Sequence, residues 1–431
     1  MRESSVQNVA GEFERERFSP TANFVEAMLM MVFILGILWV VAYPFGVMGE
    51  MPGAQRLSEI LIVVGALYML FVAPFLHRDT ATSWGLGNPR ALWRLLHTTT
   101  PEKRAVLLAV LVALFLALNV MNVYHWERVL RFFNLHRTAM RDWNQGFPGA
   151  IGMVGFGSVL ALIIVTAAIR YDNFLSAFRT ALVIALPLFV LILLGAAAHR
   201  GRVAFVDFSI GAFFIGVFGY VFWGFVQQLL FSSYLGTRIR KGFKPSTAST
   251  NRVPPDKRLP FVSVFAVAGA FVAALVVFVT LRHSHGDAIP LWSLFAFAVF
   301  ILPAAAVYAW FFACDRKRLL VATLSGSCFG LIHIDSYGLV AVTFLLGVAL
   351  TYVFMVDRNR NLVALGFIHG LLGSSFNAFF SRSESGVLEV DYTVGPWNVR
   401  EPTWGVLIIP ILCILFYVAM TLWYLRIHKE P

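Results

Sequence analysis

Apolar residues fill this chain in long runs separated by short polar segments. The runs lie at about 22–46, 57–77, 105–126, 151–170, 176–198, 206–236, 259–282, 289–313, 319–334, 337–356, 362–380 and 404–425. A helix needs about 20 mostly apolar residues to cross a bilayer. The pattern therefore predicts an all-α, polytopic membrane bundle of about 12 transmembrane helices. Residues 1–21 are polar and mixed in charge, the pattern of a solvated cytoplasmic tail. The first apolar run is too long for a signal-peptide core, and no small-residue cleavage site follows it. It is expected to be a retained helix.

Composition agrees with this pattern. The 431 residues are 59% hydrophobic and 13% charged, with a mean hydropathy of +0.76. Soluble domains carry about 25% charged residues. A soluble enzyme, a disordered chain and a nucleic-acid binder are excluded. The net charge of +11 must sit in loops, where basic residues report orientation. With both termini and the even-numbered loops on one side, that side holds 24 of the 34 Lys and Arg, leaving 10 opposite. The expected topology has both termini in the cytoplasm. The loop 237–258 is the most basic, and it is expected to rest on anionic lipid. The loop 127–149 interleaves arginines with Trp126, Phe132 and Phe133, which suits an amphipathic surface helix or an ordinary polar loop equally.

Cys314, Cys328 and Cys413 lie in or beside apolar runs. They are too few and dispersed for a disulfide framework or a metal knuckle. No cofactor and no metal are expected.

Polar side chains inside apolar helices are costly, so each is a functional candidate. The first cluster is Gln227, Gln228, Ser232 and Ser233 in the sixth run. Gln228 and Ser232 are four apart, which puts them on one helix face. The second cluster is Gly326, Phe329, Gly330, His333 and Asp335 in the ninth run. The third is Gly366, His369, Gly370, Gly373 and Asn377 in the eleventh. His369, Gly373 and Asn377 fall on one stripe. The glycines let other backbones approach closely. The repeated glycine-to-histidine spacing suggests two closely packed helices that present imidazoles inward. At about 1.5 Å per residue, Gln227 lies about 15 Å, His333 about 21 Å and His369 about 12 Å from the cytoplasmic ends of their runs. All three depths fit one chamber near the middle of the membrane.

The clusters, in this order, resemble the motifs of the CPBP family of intramembrane endopeptidases, which includes type II CAAX-prenyl proteases and Abi-type bacterial proteins. That family shows Glu-Glu-x-x-x-Arg, Phe-x-x-x-His and His-x-x-x-Asn on successive helices. Gln227-Gln228-Leu-Leu-Phe231-Ser232 looks like the first motif. Phe329-Gly-Leu-Ile-His333 matches the second, and His369-Gly-Leu-Leu-Gly373 resembles the third. Ser83-Trp84-Gly85-Leu86-Gly87 resembles a loop that precedes the motifs. The resemblance covers about 206–245 and 319–380.

The resemblance implies candidate catalytic positions at Gln227, Gln228, His333, His369 and Asn377. Asn377 lies one turn beyond Gly373, which occupies the position of the family's asparagine. It also implies a membrane or prenylated peptide as substrate, membrane lipids as partners, and a place in the bacterial inner membrane. On this reading 22–205 are N-terminal transmembrane helices, and 206–380 form the family-like core with inserted helices at 259–313. Residues 381–431 then form an outer loop and the last helix. The chemistry departs from the family at the glutamate pair. An amide does not titrate near neutral pH and only donates or accepts hydrogen bonds. Between Glu127 and Glu384 there is no glutamate at all. The expected function is that of a diverged protease or a peptide-binding relative that has lost hydrolysis. The alternatives are a twelve-helix secondary transporter and a non-catalytic scaffold or immunity-type protein.

Overall fold

A computed structural model describes residues 17–48, 51–124, 147–200, 202–206, 208–243, 315–333, 337–380 and 408–428. Every regular element among them is helical. Each of the ten predicted runs that reach these residues corresponds to a helix; the runs at 259–282 and 289–313 lie outside the described residues. Among the described residues, six helices are long and apolar enough to cross a membrane: Pro20–Gly46, Pro52–Leu76, Pro101–Tyr124, Ile151–Ala168, Ile210–Phe243 and Pro410–Ile427. The chain is thus an all-helical protein with the helices of a membrane protein.

The residues group into two compact units, one of Met1–Trp84 with Leu175–Pro431 and one of Gly85–Phe174. In the larger unit, α1 (Pro20–Leu35) continues in π-helical form through Met48. Ser19 starts it by accepting a bond from the Ala22 amide, and Pro20 fits the first turn because its missing N–H has no partner to lose. Helix α2 (Pro52–Leu67) runs on through a π turn to Leu76. It packs on α1 where Gly65 meets the Phe33 ring.

The smaller unit contains α3 (Pro89–Thr98), α4 (Pro101–Tyr124) and α5 (Phe147–Ile163). Helices α4 and α5 join through Asn122 Nδ2, which donates to the Met153 carbonyl at 3.0 Å, and Ser158 Oγ, which donates to Asn119 at 3.1 Å. Two glycines of the Trp-Gly-Leu-Gly segment have backbone reasons. Gly85 holds φ at 75°, a left-handed conformation that glycine tolerates best. At Gly87 a Cβ would sit 2.3 Å from the Ile169 carbonyl oxygen.

The larger unit continues with α6 (Phe174–Arg200) and α7 (Ile210–Gln228). The same rod passes through a π segment, Leu229–Leu235, into α8 (Gly236–Phe243). Then come α9 (Arg316–Leu331), α10 (Tyr337–Phe354), α11 (Leu362–Phe380) and α12 (Ile408–Ile427). Asp315 caps α9 at the Arg318 amide, and Asn361 caps α11 at the Ala364 amide.

The runs differ in what their surfaces meet. The rods of α2 and α4 expose Ile60, Val63, Phe71, Val106 and Val120, an apolar surface of the kind that suits lipid. Helix α9 is buried at every position from Arg318 to Leu331, including Thr323, Ser325 and Ser327. It faces protein on all sides, so its polar residues find hydrogen-bond partners there and its apolar content can be low.

One expectation needs correction. Residues 237–243 of the predicted basic loop form helix α8 rather than a loop on lipid. Arg238, Arg240 and Lys241 are buried in protein. Carboxylates from α1 and from the turn after α2 neutralise the positive charge of Arg238 and Lys241, and so make their burial possible.

Candidate functional site

The rod of α7 and its π segment supplies the first side chains. Gln228 is fully buried, and its Nε2 donates to His369 Nδ1 of α11 at 3.1 Å. Its Oε1 accepts from Ser232 Oγ at 2.5 Å, and that hydroxyl lies 3.0 Å from Thr351 Oγ1 of α10. The sequence placed Gln228 and Ser232 on one face, and the bond between them shows it. A polar chain therefore runs from His369 through Gln228 and Ser232 to Thr351 and ties three helices together.

The π segment is wider than an α-helix, and such segments recur at functional sites. Two of its groups are held from outside. Ser325 Oγ of α9 donates to the Phe231 carbonyl at 2.7 Å, and Ser233 Oγ donates to the Trp84 carbonyl at 3.0 Å. Trp84, the tryptophan of the Trp-Gly-Leu-Gly segment, thus anchors its own backbone to the rod.

The two histidines meet at Phe329. Its ring centroid lies 5.3 Å from that of His333 and 5.4 Å from that of His369. Phe231 packs against the same ring at 4.9 Å. His333 follows the end of α9, and its Nδ1 lies 2.9 Å from the Phe329 carbonyl. A carbonyl only accepts, so Nδ1 carries the proton and Nε2 is left as an acceptor. Gln227, Gln228, Phe329, His333 and His369 thus come from three separate stretches of sequence, and four of the five form a chain of contacts, Gln228 to His369, His369 to Phe329 and Phe329 to His333. Gln227 is buried beside Gln228, and its Oε1 has no hydrogen-bond partner among the described residues. Asn377 lies on α11, but its side chain lies outside the described set, as does Asp335.

Glycines set the helix spacing, with a different pairing from the one expected. The two histidine helices do not pack on each other through their glycine faces. Gly326 of α9 lies against α10, where a Cβ would be 2.6 Å from the Val348 nitrogen, and Gly347 answers it from the other side. Gly366, Gly370 and Gly373 of α11 lie against α7, over Val221, Val217 and Tyr220. Each glycine face takes the neighbour that brings a backbone to it, and the Phe329 ring lies against both imidazoles.

A Cβ on Gly224 would stand 2.8 Å from the Gly366 carbonyl oxygen and 2.9 Å from His369 Cβ. Gly224→Leu should therefore cost about 1–3 kcal/mol, as overpacking does, and push His369 off Gln228. The control is Gly219→Leu, on an exposed position with nothing within 4 Å. The thermal midpoint in detergent should fall for the first variant and hold for the second.

The sequence reading overlooked a second polar cluster. Glu26 of α1 lies inside the first apolar run, where an acid is itself a signal. Its Oε2 meets His77 Nε2 at 2.6 Å. Its Oε1 accepts from Tyr234 Oη at 2.7 Å and lies 3.5 Å from Arg238 Nε. Asp79 pairs with Arg238 and, at 2.7 Å, with Lys241. Arg238 Nη1 also donates to Asn23 at 3.3 Å.

Among the described residues, no three His, Cys, Asp or Glu side chains group as metal ligands would. Compared with known proteins, the chain matches no family model, no curated protein and no solved structure.

Proposed function

We propose that this is a CPBP-like membrane protein that captures an extended peptide, membrane-embedded or prenylated, at the Gln227, Gln228, His333 and His369 cluster. The observation that carries the reading is the Gln228–His369 bond beside a Gln227 amide oxygen that has no partner among the described residues. A buried acceptor without a donor costs about 1–3 kcal/mol, a cost that a ligand N–H removes. The cluster holds amides, hydroxyls and imidazoles and no described carboxylate, which suits a neutral amide group better than a metal ion or a free cation. The order of the three motifs along the chain supports the same assignment.

Both termini belong on the cytoplasmic side in this reading, on the strength of the basic residues. The transporter alternative calls for two matching six-helix halves, and the division into Gly85–Phe174 and the remainder gives it no support.

The test is photo-cross-linking of prenylated and unmodified membrane peptides to the full-length protein in nanodiscs. Wild type should label, while Gln227→Leu and His369→Ala should lose most of the labelling. Equal labelling of all three proteins, or none of any, overturns the proposal.

A further inference from the structure

Carboxylates inside the protein neutralise Arg238 and Lys241 of α8. The cations of α3 are placed differently. Arg90 and Arg94 are exposed, and neither side chain has a partner among the described residues. Helix α3 also has two chemical faces. At about 100° per residue, Leu92, Leu95 and Leu96 lie on one side with Trp93 at the edge, and Arg90, Arg94, His97 and Thr98 lie on the other. The three leucines are only partly covered, and Trp93 is 64% exposed. The Trp93 and His97 rings lie 4.2 Å apart between centroids, and His97 Nδ1 donates to the Trp93 carbonyl at 2.8 Å. The helix has its own caps. Asn88 accepts from the Arg90 amide at 2.9 Å, and the Thr98 and Thr99 hydroxyls donate to the Arg94 and Leu95 carbonyls. A helix of ten residues is nonetheless marginal in water, so the uncovered part of its apolar face calls for an apolar phase outside the protein.

The ends of α3 fix where that phase lies. A π segment, Ile164–Ala168, prolongs α5. Gly87, two residues before Pro89, donates its amide to the Ala168 carbonyl at 3.2 Å, so α3 begins at the end of that rod. At the other end Thr99 is extended and Pro101 opens α4, so the two helices cannot run on as one. Arg104 Nη2 closes the corner by donating to the His97 and Thr99 carbonyls at 3.3 and 3.4 Å. Asn122 pairs with Met153 and Asn119 with Ser158, so α4 and α5 run antiparallel. The start of α4 therefore lies beside the end of the α5 rod, and α3 bridges the two. Both rods are long and apolar enough to cross a membrane. A helix across their ends sits where hydrocarbon gives way to headgroups, the depth that tryptophan favours.

That boundary supplies anions as well as acyl chains. Arg90 and Arg94 are one turn apart on the exposed face, where like charges repel. From Gly85 to Arg104 there are four cations and one carboxylate, Glu102. Arg170, just past the α5 rod, pairs with Asp172 at 2.9 Å. A phosphodiester between the two guanidiniums relieves their repulsion and accepts charge-assisted hydrogen bonds from both.

We infer that α3 is an interfacial helix whose Arg90 and Arg94 bind the headgroups of anionic phospholipids, while Leu92, Trp93 and Leu96 rest among the acyl chains. Lys103, exposed in the first turn of α4, adds to the same field. None of these residues belongs to the peptide-capture cluster.

The experiment places the full-length protein in phosphatidylcholine nanodiscs with a trace of photoactivatable phosphatidylglycerol or, separately, of photoactivatable phosphatidylcholine. Mass spectrometry maps the adducts on residues 85–104. Phosphatidylglycerol should label this segment about 25-fold more than phosphatidylcholine, from about fivefold for each arginine, and high salt should shrink the preference. Arg90→Gln/Arg94→Gln should bring the two lipids to equal labelling; both positions are exposed, so the fold is kept. Equal labelling in wild type overturns the proposal, as does a preference that survives in the glutamine variant. Absence of both adducts from the segment also overturns it, because another partner then covers the face. Competition by soluble glycerol phosphate as strong as that by unlabelled phosphatidylglycerol would make this a site for free phosphate and not for lipid. No peptide is present, so failure here leaves peptide capture standing.

Discussion

Asp79→Ala should be the most destabilising single change in the described part of the molecule. The side chain is buried and gives one oxygen to Arg238 and the other to Lys241. Both cations are buried as well, so neither regains water when the carboxylate goes. Breaking a buried pair typically costs about 3–5 kcal/mol, most of it from the charge left behind. Glu26 is already engaged by His77 and Tyr234 and cannot replace Asp79 fully. Thermal or denaturant unfolding in detergent measures the loss. The double variant Asp79→Ala/Lys241→Met should recover part of it, because one of the two buried cations that Asp79 neutralises is removed. A loss below about 1 kcal/mol, the scale of an exposed pair, would show that the cluster is solvated.

Gln227→Glu should have the largest effect on chemistry. The wild-type amide oxygen is buried and has no partner among the described residues, next to a Gln228 already committed to His369. A carboxylate there adds the anionic general base that the described cluster otherwise lacks, on the residue next to the partner of His369. General-base catalysis contributes typically 10²–10⁴-fold. Cleavage of a captured membrane peptide, followed by mass spectrometry, should rise by about that factor over wild type. A folded variant that still binds peptide but cleaves no faster would mean that Gln227 does not face the scissile bond. Gln228→Glu should gain less, because the new charge would replace the amide donor to His369 and disturb the chain through Ser232 and Thr351.

The helices were legible from the apolar runs, since lipid and core both demand continuous apolar surface. The Gln228–Ser232 bond and the glycine faces of α9 and α11 followed from helical spacing alone. Which helix each glycine face would take was not legible. That choice depends on a partner backbone, Val348 for Gly326 and Val217 for Gly370, and nothing in the local sequence names it. The meeting of His333 and His369 at Phe329 was expected only as a common depth; the shared aromatic ring is a tertiary fact.

Glu26 was missed for a different reason. Its partners lie 51 to 212 residues away along the chain, at His77 and Arg238, and the comparison of motifs drew attention to the later helices. The charge of α8 misled in the same way. Basic residues beside an apolar run read as a lipid-facing loop until the counter-ions on α1 and the turn are seen.

Helix α9 bears on how the chain enters the membrane. Its sixteen residues open with Arg316, Lys317 and Arg318 and carry Thr323, Ser325 and Ser327. The insertion machinery weighs each segment by its own apolar content, and Arg or Lys at depth costs about 2.5–3.5 kcal/mol on that scale. Helix α9 is therefore a poor candidate to partition into lipid by itself. Its neighbour α10 is strongly apolar and meets it at Gly326 and Gly347 with almost no side chain between the backbones. Arg318 bonds the Tyr352 carbonyl and lies over the Tyr352 ring at 3.6 Å, so the costly charge is covered by the same partner. The two helices are therefore expected to enter the membrane together, as one hairpin. On that expectation Phe329 and His333 take their places only after α10 has been synthesised, and the cluster around Gln228 is completed late in the protein's own biogenesis.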